Sequence, residues 1–217
     1  MKKAILILTA ITTLFLGACK KDKDNTPGDS GTYQPFTKNS VWKYRTTTQV
    51  GGVALVDTTT NTMADSTKTL NGRTFHITLS TDGDDTTSVY IGLNNHVYST
   101  FFNIDEDNAF EIAYLNDTKA AGESWEAATT VDIDGDEVEA KLKTTIVEKG
   151  ISKTIADKPY SNIIHSKVEL QAKLAGTFQT ISTIDYYVAK NIGVVGTYVK
   201  VGTAETAKSE LFSYTIK

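Results

Sequence analysis

From Phe36 onward the chain alternates apolar and polar residues, and turn-forming pairs recur about every ten residues. A period of two sends successive side chains to opposite faces of a strand. No stretch sustains the 3.6-residue period of a helix. Threonine, valine, isoleucine and tyrosine fill the intervals, and these residues suit a pleated, half-buried surface. The pattern specifies an all-β, antiparallel fold: a curved sheet, an open barrel or a β-sandwich.

The turns punctuate that pattern at Gly51-Gly52, Asn71-Gly72, Asp82-Gly83-Asp84, Asn94-Asn95, Asp134-Gly135 and Leu174-Ala175-Gly176. Strands are expected over 41–49, 53–62, 74–80, 86–93, 96–102, 110–115, 142–147, 161–173, 178–189, 194–201 and 211–216. Asn116 to Glu126 allows one short helical turn around Ala120-Ala121. The clearest hairpin runs from Thr129 to Leu142, because a type I′ turn at Asp134-Gly135 needs positive φ at both positions. It sets Val131 opposite Val138 and Asp132 opposite Glu137. Facing carboxylates are tolerated in water, so the Val131, Ile133 and Val138 face is expected to be the buried one. Gly193, Gly196 and Gly202 lack the spacing of a phosphate loop and read as turn or bulge glycines.

Two segments resemble each other. Lys68 to Phe75 aligns on Lys153 to Tyr160 with identical or similar residues at five of eight positions. Trp42 and Trp125 precede them by 26 and 28 residues. Duplication of half-units 34–115 and 116–217 is one explanation, and chance likeness between hairpins is the other.

The N-terminus carries a different signal. Lys2 and Lys3 precede an apolar run from Ala4 to Leu16, then Leu16-Gly17-Ala18-Cys19. The run is shorter than the roughly 20 residues a membrane-spanning helix takes, so it reads as a cleaved signal peptide, residues 1–18. The four residues before and at Cys19 resemble the lipobox of bacterial lipoproteins. That resemblance implies a lipidated Cys19 at the mature N-terminus and attachment to a membrane. Residues 19–33 are charged, then Pro, Gly and Ser-rich, and read as a flexible tether to a single β domain, 34–217.

The stretch Lys20-Lys21-Asp22-Lys23-Asp24-Asn25 is similar to the charged export signal of Bacteroidota lipoproteins, though richer in lysine than that signal is. It implies an outer-membrane anchor with the domain facing the cell exterior; a periplasm-facing anchor is the alternative. Phe36 to Tyr44 and Tyr186 to Val195 are also similar to blocks found in Bacteroidota surface lipoproteins, a likeness that carries no activity with it. Asp57-Thr58-Thr59, Asp65-Ser66-Thr67 and Asp85-Thr86-Thr87 resemble the O-glycosylation acceptor pattern of the same phylum, which would modify Thr58, Ser66 and Thr86.

Several chemistries find no support. Cys19 is the one cysteine, so an internal disulfide, a zinc-thiolate site and a cysteine nucleophile have no residues to form them. Loss of the leader leaves 20 basic against 26 acidic side chains, which argues against nucleic acid as a partner. The acidic run Asp132 to Glu137 offers oxygens at alternate positions, as Ca²⁺ requires, but lacks the glycine and distal glutamate of an EF-hand loop. Asp82 to Asp85 and Asp105 to Asn108 are comparable acidic loops. His76, His96 and His165 sit singly in strand-like sequence, without metal-ligand spacing. No cofactor is expected. No Gly-x-Ser-x-Gly elbow occurs.

Three readings of function remain. A non-enzymatic binding or carrier lipoprotein would cradle an apolar or carbohydrate ligand in a concave pocket, lined from among Trp42, Tyr44, Tyr90, Tyr98, Phe101, Phe102, Trp125, Tyr186 and Tyr187. A structural or interaction protein of the envelope would have a filled interior and an exposed flat patch. A hydrolase would need acids or a histidine converging in a cleft.

Overall fold

A computed structural model describes residues 31–103 and 109–217, with the side chains of 102, 103 and 109 left out. Cys19, most of the tether and the acidic loop Asp105 to Asn108 lie outside the described residues. One compact unit spans Thr32–Lys217.

The described residues form twelve antiparallel strands: β1 (Val41–Val50), β2 (Val53–Leu70), β3 (Arg73–Asp82), β4 (Asp85–Asn94), β5 (Val97–Asn103), β6 (Ala109–Asn116), β7 (Ser124–Ile133), β8 (Asp136–Ile155), β9 (Lys158–Leu174), β10 (Thr177–Ala189), β11 (Gly193–Val201) and β12 (Ala204–Thr215). They make one sheet in the order β6-β5-β4-β3-β2-β1-β12-β11-β10-β9-β8-β7, curled into a nearly closed barrel. Every chain-adjacent pair is a hairpin except β6 and β7, which are the two edges. The seam is bridged by side chains. Thr144 Oγ1 on β8 donates to the Ala113 carbonyl, and Ser166 Oγ on β9 donates to the Tyr114 carbonyl. Two carbonyls at the β6 edge thus find partners without a neighbouring strand.

Local chemistry accounts for most of the turns. Asn71-Gly72 and Asp134-Gly135 both take positive φ at both positions, as type I′ turns require. Asp132 Oδ1 further accepts from the Gly135 amide. The pairing of Val131 with Val138 and Asp132 with Glu137 is as the sequence implies. The face carrying Val131, Ile133 and Val138 is half-buried rather than buried, because this hairpin stands at the sheet edge. Asn94 belongs to β4, so that turn falls one residue later, on Asn95-His96. The helical turn considered for 116–126 does not form. Residues 117–123 are an irregular loop, tied down by Lys149 Nζ donating to the Asp117 and Lys119 carbonyls.

β8 and β9 are longer than expected because Ala156-Asp157, both with positive φ, make a turn that neither glycine nor asparagine marks. Register shifts between 146 and 153 bend this long hairpin. Its tip lies over β11 and β12. There Ile155 packs where a side chain at Gly196 would stand, and Tyr160 OH donates to the Leu211 carbonyl.

The two similar segments, Lys68–Phe75 and Lys153–Tyr160, are the β2–β3 and β8–β9 turns, and Trp42 and Trp125 open β1 and β7. Each segment therefore sits at the second hairpin turn of its run of six strands.

Two clusters fill the core. Tyr98, Ile112, Tyr114, Leu115, Leu142, Ile146, Ile164, Val168, Tyr186 and Val188 join β6 to β8–β10. Trp42, Met63, Ile155, Tyr160, Ile163, Ala189, Val195 and Leu211 pack near the strapped end. That strap is the segment 32–39. Thr32 and Tyr33 bond Tyr98 OH, the Thr32 carbonyl accepts from the Asn191 amide, and Phe36 stacks on His76 at 4.2 Å.

Candidate functional site

The alternation of each strand divides its residues between the lumen and the outside. On β1, Trp42, Tyr44 and Thr46 point inward. Cross-strand partners share a face, so Asn61 and Thr59 join them from β2, and Ser209 from β12. These residues line a cavity of about 330 Å³ in the barrel that opens to solvent. Gln34 of the strap and Trp42 lie at its base. Thr46 lies four residues farther along β1, which at about 3.3 Å per residue gives a depth of roughly 13 Å.

The lining divides by chemistry. Thr46, Thr59, Asn61, Thr78, Thr100, Thr197 and Ser209 are uncharged and polar. Trp42, Tyr44, Tyr114 and Tyr186 are aromatic, with Val89, Ile91 and Val194 between them. Among the described residues, no lysine, arginine, histidine or carboxylate lines it. Burial pushes the phenols of Tyr44, Tyr114 and Tyr186 upward, further from ionising at neutral pH.

Some polar tips are committed to structure. Trp42 Nε1 donates to the Ile192 carbonyl at 2.6 Å, and Tyr44 OH to the Val194 carbonyl at 2.8 Å. Thr46 and Ser209 share a hydroxyl pair at 3.1 Å. Asn61 Oδ1 and Tyr114 OH, by contrast, are buried and have no hydrogen-bond partner among the described residues. Buried polar groups are seldom left this way, because each costs about 1–3 kcal/mol.

The topology sets these two across from one another. Asn61 on β2 stands four strands from Tyr114 on β6 in one direction and four from Tyr186 on β10 in the other. The two tyrosines stack, with ring centroids 5.2 Å apart, and so form the wall facing Asn61.

The other residues singled out in the sequence are dispersed. Tyr186 and Tyr187, adjacent on one strand, take opposite faces: Tyr186 lines the lumen, whereas Tyr187 stacks on His165 outside it at 4.3 Å. His165 Nε2 meets Asp185 at 2.8 Å, and the hydrogen bond from His165 holds the Asp185 carboxyl below its usual range. His96 pairs with Asp117, which also accepts from Tyr98 OH. His76 stacks on Phe36, and burial lowers its pKa. Tyr98 and Phe101 are buried outside the cavity, Trp125 packs against the core, and Tyr90 lies beneath Lys68. Thr58, Ser66 and Thr86 are exposed. Sequence reasoning missed Tyr114 and Asn61; both sit in strand-like sequence, and nothing local separates a lumen residue from a core residue.

A second cavity of about 340 Å³ lies at the seam, lined by Arg73, Glu111, Ala113 and residues of β7 and β8. Arg73 there forms an ion pair with Glu111.

The fold is shared with two solved structures. One is a protein of Bacteroides fragilis, assigned as exported and as having a YmcC-like fold: TM-score 0.53 at 9% identity, over 85% of this chain and 99% of that one. The other is a protein of Parabacteroides distasonis, assigned as a lipoprotein: TM-score 0.54 at 12% identity, over 86% of this chain and 100% of that one. At such identity the shared property is the fold. No family model matches the sequence, and no curated protein does.

Proposed function

We propose that this is a lipoprotein anchored to the outer membrane through Cys19, facing the cell exterior, that holds a small uncharged ligand in its barrel and catalyses no reaction. The observation that carries the reading is the lumen: about 330 Å³, lined by aromatic rings and uncharged polar groups. That volume is at the lower end of small-molecule sites, which run from about 300 Å³. Among the described residues the lining offers binding surface and no charged acid, base or histidine to move a proton. The anchor rests on the leader and lipobox, and its export on the charged tether. The assignments of the two structural relatives as exported and as a lipoprotein agree with both.

The reading is tested on full-length protein solubilised from its own host. Native mass spectrometry is expected to find a non-covalent small molecule retained by the folded chain. A bare protein mass, with no small-molecule probe raising the melting temperature, would overturn it. Protease added to intact cells is expected to cleave the domain; full protection would place it on the periplasmic side instead.

One observation favours a second reading, an interaction protein. Val50, Val53 and Leu55 share one face of the β1–β2 hairpin and are 51–61% exposed, an apolar patch of the kind a partner covers. Loss of a co-purifying protein in Val53→Ser/Leu55→Ser, with the lumen still loaded, would support it.

A further inference from the structure

We propose that the lumen takes an uncharged, hydroxylated ring of monosaccharide size, held between Asn61 on one wall and the Tyr114–Tyr186 pair on the other. This rests on the reading that the lumen binds a ligand, and adds which chemistry it selects.

Three observations carry it. The first is size. A space of about 330 Å³ is enough to seat one six-membered ring with its hydroxyls. The second is charge. Among the described residues no charged side chain lines the lumen, so a carboxylate, phosphate or ammonium group on the ligand would lack a counter-ion from them.

The third is the placement of the unsatisfied atoms. Tyr114 is 1% exposed, and its hydroxyl has no partner among the described residues; Asn61 Oδ1, four strands away along the sheet and lining the same lumen, has none among them either. Asn61 Oδ1 accepts only, so it calls for a donor such as a hydroxyl. Tyr114 OH both donates and accepts, so it pairs with a hydroxyl in either sense. A purely apolar ligand would leave both atoms desolvated and unpaired. A ring with hydroxyls on opposite edges meets both, and its C–H face lies against Trp42 and Tyr186.

The test uses the full-length chain in detergent with Trp125→Phe, so that Trp42 in the lumen supplies the tryptophan emission. D-glucose, D-galactose, D-mannose and N-acetyl-D-glucosamine are titrated as neutral probes. D-glucuronate is the charged probe and cyclohexane the apolar one. At least one neutral sugar is expected to change the emission saturably, with glucuronate at least about tenfold weaker. Asn61→Leu and Tyr114→Phe are each expected to weaken the sugar about tenfold and not to weaken cyclohexane. Tyr114→Phe removes only a hydroxyl without a protein partner, and an unchanged thermal melt shows that the fold is intact.

If cyclohexane binds and no sugar does, the sugar assignment falls and the ligand-binding reading stands. If no probe binds, both fall. Sugar binding indifferent to both substitutions would overturn the role of Asn61 and Tyr114.

Discussion

Tyr114 of β6 stacks on Tyr186 of β10 at 5.2 Å, although seven strands separate β6 from β10 along the sheet. The sheet curls far enough to bring these rings together, and the contact ties one edge of the sheet to the wall opposite Asn61. Tyr186→Ala removes the stack and leaves a hole in the core, at a cost of about 3–5 kcal/mol. Tyr114→Phe keeps the ring and removes an unpaired hydroxyl, so stability should stay level or rise by about 1 kcal/mol. Urea unfolding of the two variants measures both, and the opposite ranking would contradict the stack's role.

Ser166 and Thr144 stand in for the strand that β6 lacks on its outer side. Ser166→Ala frees the Tyr114 carbonyl in a buried place, and a loss of about 1–3 kcal/mol is expected. Thr144→Ala should cost less or a similar amount through the Ala113 carbonyl. Amide exchange reads the location: β6 should lose protection before β1 or β12. Uniform loss across the sheet would mean that these hydroxyls do not hold the seam.

Gly92 is fixed by contact rather than by backbone angle. A Cβ there would come within 2.8 Å of the Phe75 ring, which is 1% exposed and has little room to move. Gly92→Ala should destabilise by about 1–3 kcal/mol through overpacking. Combined with Phe75→Leu, the loss should fall short of the sum of the two single losses. Additive losses in that double-mutant cycle would show that the two do not compete for space.

His76 gives a pH dependence with a definite sign. Burial holds its folded pKa below the unfolded value of about 6.5, so folding favours the neutral ring. The contribution is present above the unfolded pKa and is lost as pH falls through the folded one. His76→Phe keeps a ring against Phe36 and removes the titration, so its melting temperature should fall less between pH 7 and pH 5 than that of the parent. Asp185 titrates lower: its folded pKa is depressed by His165, so its contribution is lost on acidification below the unfolded value of about 3.9. Parallel curves for parent and His76→Phe would sink the assignment.

Cys19→Ala should move the protein from the membrane fraction to the soluble one, since no other cysteine can carry the lipid. Intact mass of the natively produced chain tests Thr58, Ser66 and Thr86 in the same preparation; no mass beyond the lipid would exclude their glycosylation.

The sequence by itself determined the class of fold and most of its joints. Asp134-Gly135 and Asn71-Gly72 mark turns because few residues tolerate positive φ twice in succession. Period-two alternation set Tyr186 and Tyr187 on opposite faces before any contact was known. Ala156-Asp157 escaped because its turn is held by the long hairpin around it and not by residues that prefer it. The tertiary structure alone decided that the sheet closes nearly into a barrel and leaves a hollow. Whether an inward residue meets a neighbour or open space depends on strands far apart in sequence, as Asn61 and Tyr114 do, and local patterning carries no record of that distance.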